Sequence, residues 1–156
     1  MIARLIALMV MGSAVVASAA QAPVKMAGEW TFQPAQSRNV GMMGSMSIQT
    51  TVAQTATELT VDDHSLFNGQ KNTQHTMYDL TGKPASNTPI MGGMATTRSH
   101  WESARLVTEW ESPGSIAGTT AKRTETRYLS ADGKMMYVES SRPGQDPMVM
   151  VFTRDR

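Results

Sequence analysis

From Thr119 to Arg154 the side chains change character every second residue, and this rhythm constrains the fold more than any other feature of the chain. Successive side chains of a strand point to opposite faces, so a period of two describes a sheet with one buried and one wet face. The run T-T-A-K-R-T-E-T-R-Y-L-S enters A-D-G and leaves as K-M-M-Y-V-E-S-S; a Pro/Gly loop and M-V-M-V-F-T-R follow. Asp132-Gly133 is a hairpin signal, because Gly adopts the left-handed conformation without steric cost. A type I turn over Ser130–Asp132, with Gly133 as the bulge residue, sets Tyr128 opposite Met136 and Thr126 opposite Val138. That register assigns Arg123, Glu125, Arg127, Tyr137 and Glu139 to the outer face. Glu125 then meets Glu139, with Arg123 and Arg127 on the diagonals to offset the repulsion.

The same rhythm runs upstream. Gly28–Phe32 reads as a strand ended by Pro34, which cannot continue a ladder. Met46, Ile48, Thr50 and Val52 alternate with Ser47, Gln49 and Thr51, and the chain returns through Leu59 and Val61. Lys71–Leu80 is a more polar strand. Thr97, Ser99 and Trp101 share one face, answered by Leu106, Thr108 and Trp110 after a tight turn. Ala35–Ser45 and Ala85–Gly93 read as loops, and no twelve-residue segment shows helical periodicity. About eight to nine strands in up-and-down order result, an all-β chain. An open sheet of that size exposes two edges, so closure into an antiparallel barrel is expected, with a two-sheet sandwich as the alternative.

Residues 1–20 read differently. Met1–Arg4 is a positive start, Leu5–Val16 an apolar run, and Ala17-Ser18-Ala19 an A-x-A cleavage pattern. Residues 1–20 are expected to be a signal peptide cut after Ala19 or Ala20, residues 21–27 a short N-terminal segment, and residues 28–156 a single barrel domain. The product is then exported, periplasmic or secreted. The chain has no cysteine, which excludes thiolate chemistry and Cys-based zinc sites. Without Arg4 it carries 13 basic and 13 acidic side chains, with no basic run, so nucleic acid and anionic membranes are not expected partners. No later stretch approaches the ~20 apolar residues of a spanning helix, and stable membrane insertion is not expected.

Gly28-x-Trp30 on the first strand, with Arg154 at the end of the last, resembles the lipocalin-like or calycin pattern of small exported bacterial β-barrels. The T-D-Y motif of typical lipocalins is absent. The resemblance implies a meander barrel with a central cavity, in which the first-strand Trp packs at the closed end under a late basic side chain. It also implies non-catalytic binding of a small apolar or amphipathic ligand. The inward set Met46, Ile48, Trp101, Leu106, Trp110, Tyr128, Met136 and Val138 is expected to line that cavity. Trp30, Trp101 and Trp110 are expected to be core anchors with bonded indole N–H groups.

Methionine is the one compositional anomaly. Three of the 14 (Met1, Met9, Met11) leave with the signal segment. Met42, Met43 and Met46 fall within five residues, and thioethers are soft ligands that select Cu(I) or Ag(I). A Cu(I) site from Met42, Met43, Met46 and His64 is therefore the rival reading, against methionine as adaptable apolar filler. In a nine-strand meander the loop holding Met91 and Met94 belongs to the opposite end. His64, His75 and His100 show no metal spacing. Asp63-His64-Ser65 carries triad residue types, but neighbours on one strand point apart. With no G-x-S-x-G and no phosphate-binding loop, no enzyme activity, catalytic residue or resident cofactor is expected.

Overall fold

The computed structural model describes residues 24–89 and 93–156. The expected signal peptide and Met91 lie outside the described residues. Ten strands form one sheet: β1 (Gly28–Phe32), β2 (Ser47–Gln54), β3 (Glu58–Phe67), β4 (Gln70–Asp79), β5 (Ala85–Asn87), β6 (Ala95–Glu102), β7 (Arg105–Pro113), β8 (Thr120–Leu129), β9 (Met135–Ser141) and β10 (Met148–Arg154). Their order is β4-β3-β2-β1-β10-β9-β8-β7-β6-β5. Every pairing is antiparallel, and the pairing of β1 with β10 wraps the meander into a nearly closed barrel. Two 3₁₀ turns, Pro34–Gln36 and Gly41–Ser45, connect β1 to β2.

One end of the barrel is filled. Met26, Trp30, Leu59, Leu106 and Met136 are fully buried there. Trp30 Nε1 donates to the Met26 carbonyl at 3.0 Å. Trp30 and Arg154 are cross-strand partners, and the guanidinium lies 4.2 Å over the indole ring. Arg154 also donates to the carbonyls of Ala27 (2.7 Å) and Gly133 (3.1 Å), tying the first and last strands to the β8–β9 turn. This crossing explains Gly28: its φ is +139°, and a Cβ there would stand 2.7 Å from Arg154 Nη1.

The barrel closes incompletely between β4 and β5. Where a backbone ladder is missing, the Asn87 side chain bridges the two edges. Its Oδ1 accepts from the Met77 N–H and its Nδ2 donates to the Met77 carbonyl, both at 2.8 Å. The same Nδ2 donates to Thr97 Oγ1 at 3.0 Å. A side-chain amide here satisfies main-chain groups as a neighbouring strand would.

Two expectations are corrected. The expected loop at Ala85–Gly93 contains the three-residue strand β5. That extra strand adds one reversal, so β5 ends and β6 begins at the end that holds the Met42–Met46 loop; Pro89 and Met43 line the same cavity. The second correction is the β8–β9 register. Gly133 has φ +68° and its N–H reaches the Ser130 carbonyl at 2.9 Å, so the turn forms as expected. Lys134, however, stays in the loop, its N–H held by Asp132 Oδ1 and its carbonyl by the Arg154 N–H. Ser130 pairs with Met135, Leu129 with Met136, Tyr128 with Tyr137 and Arg127 with Val138. A slip of one residue turns a strand over. Glu125 and Arg127 therefore face inward, Glu125 opposes Ser140, and no Glu125–Glu139 pair exists.

Candidate functional site

Above the filled end the barrel is hollow. A cavity of about 590 Å³ opens at the mouth formed by the β1–β2, β3–β4 and β9–β10 connections, with Pro89 beside it. Its volume lies within the ~300–1,000 Å³ range of small-molecule sites. Alternation on each strand decides what reaches it. β2 and β10 supply an apolar wall of Ile48, Met148, Met150 and Phe152, extended to the rim by Met43 and Met46. β3 and β4 supply mostly polar side chains: Asp63 and Ser65 with Phe67 at the rim, then Gln70, Asn72, Gln74, Thr76 and Tyr78 at two-residue steps from rim to floor.

The floor carries a buried charge network that the outward assignment of β8 conceals. Tyr78 Oη donates to Glu125 Oε1 at 2.8 Å. Arg127 Nη2 donates to the same carboxylate oxygen and to Tyr78 Oη, both at 3.3 Å, and Nη1 approaches Met136 Sδ at 3.7 Å. Arg123 stands 4.0 Å from Glu125 Oε2 and stacks 4.1 Å over the Trp110 ring. Burial, then the Glu125 charge, drives the Tyr78 hydroxyl pKa far up, so it acts as a neutral donor. Burial opposes the Arg127 charge, but Tyr78, Glu125 and Asp63 outweigh it and leave the guanidinium held protonated. Asp63 accepts from Thr50 Oγ1. Burial raises its carboxyl pKa despite that bond and the nearby Arg127 charge. Among the described residues, Arg127 Nε and Trp110 Nε1 are buried side-chain donors with no hydrogen-bond partner. The second of these departs from the bonded indole expected for Trp110.

The expected cavity set is distributed as follows. Met46, Ile48, Trp110 and Val138 line the cavity. Leu106 and Met136 lie in the filled core beneath it, with Trp101 packed against that core. Tyr128 is on the outer face, a correction that follows from the β8 register: its ring stacks on Tyr137 at 5.1 Å under the Arg105 guanidinium. Of the residues expected for a metal site, Met43 and Met46 share the cavity and His64 does not. Met43 and Met46 face the cavity and Met42 is 68% exposed. His64 lies between the inward Asp63 and Ser65 and so points out, bonding Thr73 Oγ1 at 3.1 Å. No group of three or more His, Cys, Asp or Glu side chains among the described residues can hold a metal.

Fold and cavity together define a small, nearly closed up-and-down antiparallel barrel with an internal amphipathic chamber. No family model matches the chain, and no curated protein matches it. Solved structures do. Human cRBP IV shares 17% identity over 85% of this chain and 100% of its own, with a TM-score of 0.64. The REP1-NXSQ fatty acid transporter shares 13% over 84% of this chain and 96% of its own (TM-score 0.65). A Schistosoma mansoni fatty acid binding protein in complex with arachidonic acid shares 12% over 84% and 96% (TM-score 0.63). At such identities the likeness establishes the fold alone. No helix among the described residues is long and apolar enough to cross a membrane.

Proposed function

We propose that this barrel is a non-catalytic carrier or receptor for a small amphipathic molecule, held in the chamber lined by β2, β3, β4 and β10. The observation that carries this reading is the hollow itself: methionine, isoleucine and phenylalanine side chains together with polar ones, lining a chamber above a packed floor. Large flexible thioethers suit a site that adapts to an apolar surface. The fold neighbours support the reading, since two of them are a fatty acid transporter and a fatty acid binding protein in complex with arachidonic acid. Export is part of the proposal and rests on the signal-like residues 1–20; intact mass of the protein from its host should show cleavage after Ala19 or Ala20. The binding test is uptake of the uncharged apolar dye Nile red, with a blue-shifted emission that a second apolar molecule reverses. Absence of any uptake overturns the reading.

A further inference from the structure

The large apolar side chains that stay exposed are gathered at one end of the barrel. Among the described residues they are Met42 (68% exposed), Leu66 (44%), Met94 (67%) and Ile116 (70%). Solitary exposed apolar residues are ordinary on a protein surface, so their placement is what carries meaning. Successive connections of the meander alternate between the two ends. Met42 lies in the β1–β2 connection and Leu66 beside the β3–β4 turn; Met94 directly precedes β6, and Ile116 lies in the β7–β8 connection. All four therefore stand at the end where the chamber opens. The turns of the filled end, at 55–57, 80–84, 103–104 and 130–134, carry none.

Two of the four continue into the chamber. Met43 and Phe67, next in sequence to Met42 and Leu66, line the cavity, so apolar surface runs from the outer rim into the hollow. Charge at this end is one-sided. Arg38, Lys71 and Arg142 are exposed beside a single exposed carboxylate, Asp146, and none of the three cations has an ion-pair partner among the described residues. The neighbouring Lys122–Glu111 pair neutralises itself. The sequence contains no basic run, and only the fold brings these cations to one rim. Apolar side chains set among cations suit the boundary between lipid phosphates and acyl chains. A protein seated on the ring would cap the chamber, whereas a lipid surface opens it to the phase in which apolar molecules dissolve.

Building on the carrier reading above, we propose that the open end of the barrel docks on a lipid bilayer surface, with the mouth facing the lipid. Met42, Leu66, Met94 and Ile116 enter the interface, and Arg38, Lys71 and Arg142 meet the phosphates. The occupant passes between bilayer and chamber along the Met42–Met43 and Leu66–Phe67 surfaces. Such docking is peripheral contact by loop tips and differs from a membrane span.

The chain has no cysteine, so one introduced thiol is a unique attachment point for a probe. The protein as processed by its host carries the environment-sensitive dye NBD at Ile116→Cys, or at Lys83→Cys in the β4–β5 turn of the filled end. Vesicles of phosphatidylcholine and phosphatidylglycerol at about 3:1 should blue-shift the first label and leave the second unchanged. Equal shifts at both positions, or none at either, overturn the proposal. Loss of one inserted aliphatic side chain corresponds to about a tenfold fall in partition. Met42→Asp/Met94→Asp should therefore weaken co-sedimentation with these vesicles at least about tenfold, with Tm and vesicle-free Nile red uptake unchanged. Unchanged vesicle affinity in that variant overturns the proposal; should the variant misfold, the two label positions decide. A dimer that the same variant dissolves, without vesicle binding, identifies a second copy as the occupant of this end and overturns docking on lipid. Nile red uptake without vesicle binding overturns the docking and leaves the carrier reading standing. Vesicle binding without Nile red uptake sinks the carrier reading and leaves the docking surface.

Discussion

The contact between Gly28 and Arg154 offers the sharpest test of how the barrel is sealed. Gly28→Ala introduces two costs. An alanine at φ +139° occupies a region that only Gly visits freely, worth about 1–3 kcal/mol. Its Cβ would also stand 2.7 Å from Arg154 Nη1, so the guanidinium must leave its place over Trp30 and its bond to the Ala27 carbonyl. A cation–π contact at a partly exposed site is worth about 0.5–1 kcal/mol, and the charge-assisted bond a similar amount after solvent screening. The expected total is about 3 kcal/mol, or a fall in Tm of roughly 10 °C for a domain of this size. Arg154→Ala should cost about 1.5 kcal/mol. The double variant should cost less than the sum of the singles by about 1 kcal/mol, because alanine at Gly28 no longer has a guanidinium to displace. Urea unfolding followed by tryptophan fluorescence measures all four species. Additivity within ~0.3 kcal/mol would refute the claim that close approach of Arg154 is what requires glycine.

Three further outcomes are expected. Asn87→Ala leaves the Met77 N–H and carbonyl without their partner across the seam, at a cost of about 2 kcal/mol, and hydrogen exchange at Met77 should accelerate at least tenfold relative to β2 amides; unchanged protection would show that the amide does not hold the seam. Asp63→Asn should raise stability at neutral pH. Burial raises the Asp63 pKa above its ordinary 3.8, so the folded state holds the proton more tightly; its destabilising effect is absent below pH 3.8 and grows as pH rises through the raised value. The gain in Tm from the variant should therefore vanish towards pH 3.5, and a pH-independent gain would contradict the sign. Glu125→Gln frees Arg127 from its carboxylate partner. It should lower Tm while tightening oleate binding about tenfold, and oleate should then stabilise the variant more than the parent; equal oleate affinity in both proteins would argue against internal charge compensation.

The alternation from Met46 to Val52, and from Thr97 through Trp110, translates directly into inward and outward faces, because on those strands every apolar residue has a polar neighbour. β8 resists that reading for a physical reason. Its inward residues include Glu125 and Arg127, which are buried because they neutralise one another and hydrogen-bond Tyr78. Tyr128, the apolar-looking neighbour, finds its partner on the outside in Tyr137. Hydrophobicity alone assigns such a strand to the wrong face, and the Lys134 insertion that settles the matter depends on a bond from Arg154, twenty residues further on. β5 was hidden differently. Ala85-Ser86-Asn87 is three residues long, too short to show a period, and Asn87 earns its buried place by bonding across the seam. β4 is polar at every position from Gln70 to Thr76, so its sequence shows a polar strand but carries no mark of which face is enclosed.

The seam has a topological consequence. β1 and β10 lie side by side in the middle of the sheet order, and the strip has its two free borders at β4 and β5. Asp155 N bonds the Glu29 carbonyl at 2.9 Å, so the start and finish of the folded ribbon adjoin. Splicing those neighbouring ends and reopening the polypeptide at Gly82, in the turn between β4 and β5, would rewrite the connectivity without interrupting a single ladder. In that rearranged molecule the seam would coincide with the new termini, and Asn87 would be left to fasten one end of the chain to the other.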